Sequence, residues 1–268
     1  MNSGKAIWYL MNLRNLIIAC FRVVAYCLFH PKEFFRLFFL FFSAFNEFYS
    51  ELFGCLEDFT RTPFFSAMRA DLIFCRSNAL NTESIVTRPY ETQILASLTC
   101  GLKPRAVFEI GTYNGLTTLH FAYNTPENAT IYTLDLPPDF EIKDKSGYSY
   151  DDLMVLQLSK ENFARRAYKG NGMGSKVIEL FGDSMKFDFS PYYGRIDMVF
   201  IDGNHSYRYV QSDTQNAFKM LSENGVIIWH DFDYIIHRDV FKCLNGLSRK
   251  YKIYSIPQTR FAIYGKMF

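Results

Sequence analysis

From residue 105 onward, short apolar runs alternate with longer amphipathic stretches, and this alternation limits the fold more than any other feature of the chain. RAVFEI (105–110), TIYTLD (130–135), KVIELF (176–181), IDMVFID (196–202) and GVIIWHD (225–231) read as strands. LTTLHFAYN (116–124), DDLMVLQLSKENFARRAY (151–168) and YRYVQSDTQNAFKMLSE (207–223) read as helices, the last closed by Asn224 and Gly225 in a left-handed cap. DVFKCLNGLSRKY (239–251) is a further helix, and KIYSIP with RFAIYG closes the chain as a hairpin. Strands alternating with helices predict an α/β domain over residues 88–268, its mostly parallel sheet covered on both faces.

In such sheets a ligand binds beyond the carboxyl ends of the strands. Glu109 ends the first strand, followed by GTYNG, and Asp135 ends the second. The third leads into Gly182-Asp183-Ser184, the fourth into Asp202 with His205, and the fifth into His230-Asp231. Each strand thus delivers a carboxylate to one rim, a pattern that solubility alone does not demand.

EIGTYNG (109–115) is a strand-to-helix turn in which Gly111 allows the bend and Gly115 allows close approach or close helix packing. A dinucleotide loop would carry glycine at position 113, where this chain has Tyr113. A pyrophosphate seeks bare N–H groups at a helix N-terminus, whereas Glu109 suits a cation. Asp135 is placed for ribose hydroxyls and Asp183 for an adenine amine. A phosphate-free adenosine bearing positive charge describes S-adenosylmethionine (SAM).

ExGxxxG together with IDGNHSYRYVQSDTQNAFKMLSENGVIIWHDF resembles the class I SAM-dependent methyltransferases, over residues 88–268. It looks like the branch of sugar O-methyltransferases and cephalosporin-hydroxylase-like proteins. The resemblance implies a Rossmann-like, seven-stranded sheet with an antiparallel last strand. It implies cofactor contacts from Glu109, Gly111, Thr112, Tyr113, Gly115, Asp135, Leu136, Gly182, Asp183, Ser184 and Asp202. Asp202 and His205 match the positions that carry catalysis in that branch, with the histidine as base. Asp202, His230 and Asp231 match its divalent-ion ligands, for Mg or Mn. His230 is a departure, because the branch carries a carboxylate there: an imidazole suits Mn, Fe or Zn better than hard Mg, so the ion is softer, binding is weaker or no metal is used, and His230 reads equally as a packed or hydrogen-bonded histidine. The implied reaction is O-methylation of a sugar, glycan or other hydroxylated small molecule. Two other classes stay open: an NAD-dependent oxidoreductase, and a non-catalytic docking protein on the same fold. His120 and His237 read as surface or structural, and Trp229 as core.

Residues 1–60 are of a different character. Much of the phenylalanine, of which the chain has 28, lies before residue 70. His30-Pro31 divides the segment into two expected helices, and Phe34, Phe38, Phe41, Phe45, Phe48 and Leu52 stripe the second. Arg22, Lys32, Glu33, Arg36 and Glu47 interrupt the apolar runs, which fall short of a span. A basic, aromatic helical segment suits peripheral membrane contact, packing on the domain or a homo-oligomer contact, and residues 61–87 are a connector. The net charge of +2 and the lack of a basic-aromatic patch exclude a nucleic-acid partner. The six cysteines form no CxxC pair and suit a reducing cytoplasm, or the cytoplasmic face of a membrane. The loop 136–152 reads either as a lid or acceptor wall, with Tyr148 and Tyr150 able to stack on a sugar, or as a merely mobile loop.

Overall fold

The computed structural model describes residues 57–58, 89–141, 148, 150–170, 172–234, 236–257 and 259–268. The chain divides into two units, Met1–Gly54 and Cys55–Phe268, and every described residue belongs to the second. The expected N-terminal aromatic helices and connector lie outside the described residues, apart from Glu57–Asp58. No helix among the described residues is long and apolar enough to cross a membrane.

The described elements, in chain order, are β1 (Glu57–Asp58), α1 (Pro89–Leu102), β2 (Ala106–Ile110), α2 (Leu116–Asn124), β3 (Thr130–Asp135), α3 (Tyr150–Asn162) and β4 (Val177–Phe181). There follow β5 (Ile196–Ile201), α4 (Tyr207–Met220), β6 (Leu221–Trp229), α5 (Arg238–Ser248), β7 (Ile253–Ser255) and β8 (Ala262–Gly265). They make one sheet of order β1-β7-β8-β6-β5-β2-β3-β4. Only β8 runs antiparallel to its neighbours β6 and β7. The seven expected strands are therefore present with the antiparallel last strand, and the two-residue β1 adds an outer edge beside β7.

The central strands are apolar on both faces because both faces are covered. Along β5, Met198 and Phe200 turn to a core with Leu95 and Leu98 of α1 and Phe121 of α2. Val199 and Ile201 turn to the opposite core with Val210 of α4 and Leu244 of α5. Trp229 is core, as expected, and its Nε1–H donates to Thr214 Oγ1 at 2.9 Å. Thr214→Val keeps the shape and orphans that buried donor. It is expected to cost about 1–2 kcal/mol in urea unfolding.

Two boundaries differ from expectation. α4 stops at Met220, and β6 starts at once with Leu221 instead of at Gly225. Neither Asn224 nor Gly225 is left-handed. The pairing of β5 with β6 shifts register between Ile196 and Met198, so this stretch is an irregular strand start and not a helix cap. Gly225 is needed for closeness: a Cβ there would meet the Ile196 carbonyl oxygen at 2.8 Å. The helix expected over 151–168 ends at Asn162 and gives way to 3₁₀ turns at Phe163–Arg165 and Ala167–Gly170. α1 had no counterpart among the expected elements.

Candidate functional site

Strand ends are laced together one residue beyond their ladders. Gly111 N–H donates to the Leu134 carbonyl at 2.9 Å, and Asp202 N–H to Ile110 at 2.8 Å. Gly182 N–H reaches Asp135 O and His230 N–H reaches Ile201 O, each at 3.0 Å. The segments that follow β2 to β6 therefore meet along one edge. Gly111 sits there at φ 98°, and a Cβ would lie 2.1 Å from the Asp202 carbonyl oxygen, so only glycine fits. At Gly115, φ 73°, a Cβ would instead lie 2.6 Å from the Tyr168 ring, which makes it a packing glycine.

A cavity opens at this edge. Gly111, Tyr113, Asp135, Leu136, Gly182, Asp183, Ser184, Asp202 and His205 line it, with Tyr148, Asp152, Asn204 and Tyr209. Glu109, Thr112, Gly115, His230 and Asp231 do not. The lining holds four aspartates and no lysine or arginine. That donor set fits a cationic adenosyl group, and it offers nothing to a pyrophosphate.

Asp135 closes one end of the cavity. Its Oδ2 accepts from Ser159 Oγ at 3.0 Å and from the Arg166 guanidinium, while Oδ1 accepts from Leu136 N–H at 2.9 Å. Burial pushes its pKa up, against the pull of Arg166. Arg166 is itself buried, donates to Glu179 Oε1 at 3.0 Å and reaches the Tyr113 carbonyl at 3.3 Å. One guanidinium thus braces both the acid and the turn opposite it. Asp183 Oδ1 accepts from Met185 N–H at 3.0 Å and so also shapes its own loop.

Glu109 lies beneath the turn, fully buried. Its Oε2 accepts from Thr118 Oγ1 at 2.5 Å and from Thr133 Oγ1 at 2.6 Å, and Thr112 Oγ1 lies 2.6 Å from Thr133 Oγ1. Oε1 has no hydrogen-bond partner. Burial lifts the carboxyl to about 8, although the two threonines favour the ionised form. At neutral pH Glu109 is then an uncharged acid, where a cation-facing carboxylate was expected.

The other end of the cavity carries a dense ionic corner. His205 Nδ1 lies 2.6 Å from Asp152 Oδ1, and its Nε2 lies 2.9 Å from Asp231 Oδ2 and 3.8 Å from Asp202 Oδ1. Burial opposes the charged ring, yet Asp152, Asp202 and Asp231 hold its pKa well above 6.5. Asp231, at φ 56°, is bound through Oδ1 by Arg260 Nη1 at 2.6 Å. Arg260 also grips Glu91 of α1 through Nε at 3.1 Å and Nη2 at 2.8 Å. His237 Nδ1 stands 3.4 Å from Asp231 Oδ1. His237 therefore belongs to the corner and is not a surface residue. His120 is buried and contacts the Leu116 carbonyl through Nδ1 at 2.8 Å, a structural role.

Asp202, His230 and Asp231 come close enough to share an ion. Their atoms are already committed otherwise. His230 is buried, with Nδ1 hydrogen-bonded to Asp202 at 3.0 Å and Nε2 to Glu91 at 3.4 Å. Burial opposes a charged ring, but Asp202 and Asp231 raise its pKa well above 6.5. One Asp231 oxygen belongs to Arg260. This trio fits an imidazolium held between carboxylates and not a resident ion.

Residues 108–232 match a family model described as a methyltransferase domain. This match and the strand order agree with a class I SAM-dependent methyltransferase fold. The match agrees with the expected enzyme class and not with the oxidoreductase reading. No curated protein matches the chain. Among solved structures, the O-methyltransferase TomG from Streptomyces achromogenes, involved in tomaymycin synthesis and in complex with SAM, is 12% identical with a TM-score of 0.48, over 84% of this chain and 96% of that one. An O-methyltransferase from Bacillus cereus in complex with SAH is 14% identical with a TM-score of 0.47, over 84% and 98%. A methyltransferase from Geobacter sulfurreducens is 18% identical with a TM-score of 0.47, over 81% and 92%.

Asp152, Glu91, Arg166 and Arg260 are residues in or around the cavity that sequence reasoning missed, and His237 lies beside them. Arg260 and Glu91 meet across 169 positions, and no local pattern announces such a pair. Asp152 was in view only as one acid of a polar loop.

Proposed function

We propose that the methyltransferase moves the methyl group of SAM to a hydroxyl oxygen of a small acceptor, a sugar or other polyol, at the His205 end of the cavity. The observation that carries this reading is the setting of His205. Its Nδ1 is held by Asp152, its Nε2 has no hydrogen-bond partner, and the ring lines the same cavity as Asp135 and Asp183. Asp135 takes the ribose hydroxyls, and Asp183 with Ser184 takes the adenine side. Gly111, Tyr113 and Leu136 supply the bare backbone and apolar wall between them. Glu109, with Thr112, supports the turn from below.

A hydroxyl is a poor nucleophile until its proton leaves. His205, once it has shed the proton its carboxylate neighbours hold on it, accepts the acceptor's proton at Nε2 as the oxygen attacks the methyl carbon. The C–O bond forms as the S–C bond breaks, and S-adenosylhomocysteine departs neutral at sulfur. Asp152 fixes the ring, and Asp202 favours the imidazolium that forms. In-line placement of donor and acceptor supplies much of the remaining rate. Tyr148 and Tyr209, whose hydroxyls lie 3.5 Å apart on the cavity wall, offer a face for a sugar ring.

Calorimetric titration with SAM, S-adenosylhomocysteine and NAD tests the cofactor. Both sulfur compounds are expected to bind and NAD is not. Asp135→Ala should weaken the sulfur compounds by about tenfold, the equivalent of one charge-assisted hydrogen bond. Unchanged affinity in that variant would remove Asp135 from the ribose position. A lipid-linked saccharide acceptor goes with membrane contact through residues 1–60. Deleting them without changing partition into lipid vesicles would discard that acceptor.

A further inference from the structure

His237 caps the start of α5 and takes no part in the proposed transfer. It nevertheless faces the base across one carboxylate. His205 Nε2 is 2.9 Å from Asp231 Oδ2 and His237 Nδ1 is 3.4 Å from Asp231 Oδ1, with the ring centroids 4.5 Å apart. Both nitrogens are buried, and neither has a hydrogen-bond partner. Atoms this close with no bond between them lie off each other's hydrogen-bond axis. Two atoms each about 2.1 Å from one ion are about 3.0–3.4 Å apart at angles from square to tetrahedral, a spacing that His205 Nε2 and Asp231 Oδ2 approach at 2.9 Å. His205, Asp231 and His237 can in fact offer ligand atoms all within 4.8 Å of one another.

The surroundings agree. Asp152 holds His205 through Nδ1 at 2.6 Å, the carboxylate–histidine arrangement that stands behind metal ligands and leaves Nε2 as the ring atom that an ion could take in place of a proton. His230 differs: both its nitrogens lie in hydrogen-bond geometry to carboxylates. Two imidazoles and one carboxylate suit zinc, cobalt or nickel and not magnesium, which seeks oxygen.

We propose that His205, Asp231 and His237 bind a divalent ion of the zinc, cobalt and nickel kind, and that an ion held there blocks methyl transfer. The ion occupies the Nε2 lone pair that the acceptor's proton needs. The blocking half rests on the proposed function, whereas the binding half does not.

Cobalt(II) is the probe. Added to the chelator-stripped full-length protein, it is expected to give the visible absorption of a low-coordinate, nitrogen-ligated ion at one equivalent. His237→Gln should abolish that band while leaving thermal unfolding and S-adenosylhomocysteine binding as in the wild type. Zinc should inhibit transfer by the wild type at least tenfold more strongly than transfer by the variant. No band in the wild type, or a band that survives in His237→Gln, would overturn the site. A band lost in His230→Gln but kept in His237→Gln would overturn it in favour of the neighbouring trio. A band with undiminished transfer would remove the blocking half together with the proton role of His205, and would leave SAM binding untouched.

Discussion

Replacing His205 by alanine is expected to lower the rate of methyl transfer by about 10²–10⁴-fold, the usual contribution of a positioned acid–base group. S-adenosylhomocysteine should bind within a few-fold of wild type, because the adenosyl contacts proposed for Asp135, Asp183 and Ser184 remain. The split between rate and affinity is the informative part. A group that binds acceptor and transition state alike would change KM and spare kcat, whereas a base acts only as the proton moves. His205 cannot be a mere helix-start residue: its ring lies between Asp152 at 2.6 Å and Asp231 at 2.9 Å and still lines the cavity. Alanine also leaves Asp152 and Asp231 without their shared cation, so some loss of stability accompanies the loss of rate. Single-turnover assays at saturating SAM, with protein checked by thermal unfolding, separate the two. A folded His205→Ala variant that transfers methyl at near the wild-type rate would dismiss His205 as the base.

The sheet was legible because its signals are local. TIYTLD and LTTLHFAYN came out at their observed bounds, since β3 is a short run of β-branched, aromatic and apolar residues closed by Asp135 and α2 follows at once from the glycine turn. The helix-to-strand junction after Met220 was not legible. Asn224-Gly225 has the composition of a cap, but tertiary packing uses Gly225 for its missing Cβ against Ile196. Helix propensity and turn chemistry cannot anticipate a contact made 29 positions away. The site divides in the same manner. Asp135, Asp183, Asp202 and His205 could be found because the fold puts strand ends on one rim, and they do line one cavity. Glu109 was placed on that rim one residue too far: it pairs with Phe200 and Thr133 inside the ladder and is covered. The network of Glu91, Arg260 and His230 is made by three elements far apart in sequence. Each residue alone reads as an ordinary polar position.

Glu109→Gln is the second large effect, and it appears in how stability depends on pH. In the folded protein burial lifts the Glu109 carboxyl to about 8, from the ordinary 4.5 that the unfolded chain retains. Between those values the folded state keeps a proton that the unfolded state has released. Stability then falls as pH rises. The contribution is present in full below about 4.5, is lost progressively on the way up, and is exhausted once pH passes about 8. At about 1.4 kcal/mol per unit this single group removes up to roughly 5 kcal/mol across the window. Glutamine is neutral throughout and retains an oxygen for Thr118 and Thr133, the two donors on Oε2. Its amide takes the place of the protonated Oε1, which has no hydrogen-bond partner, so a modest constant cost is added at every pH. Other groups titrate in both proteins alike, so the difference between them isolates position 109. Urea unfolding of wild type and Glu109→Gln from pH 5 to 9 should give curves that diverge, with the variant gaining relative stability as the solution becomes alkaline. Parallel curves would mean that Glu109 is ionised in the folded state. The buried acid would then be a charge held in wait for a cation, as the sequence alone suggests, and not a neutral support beneath the turn.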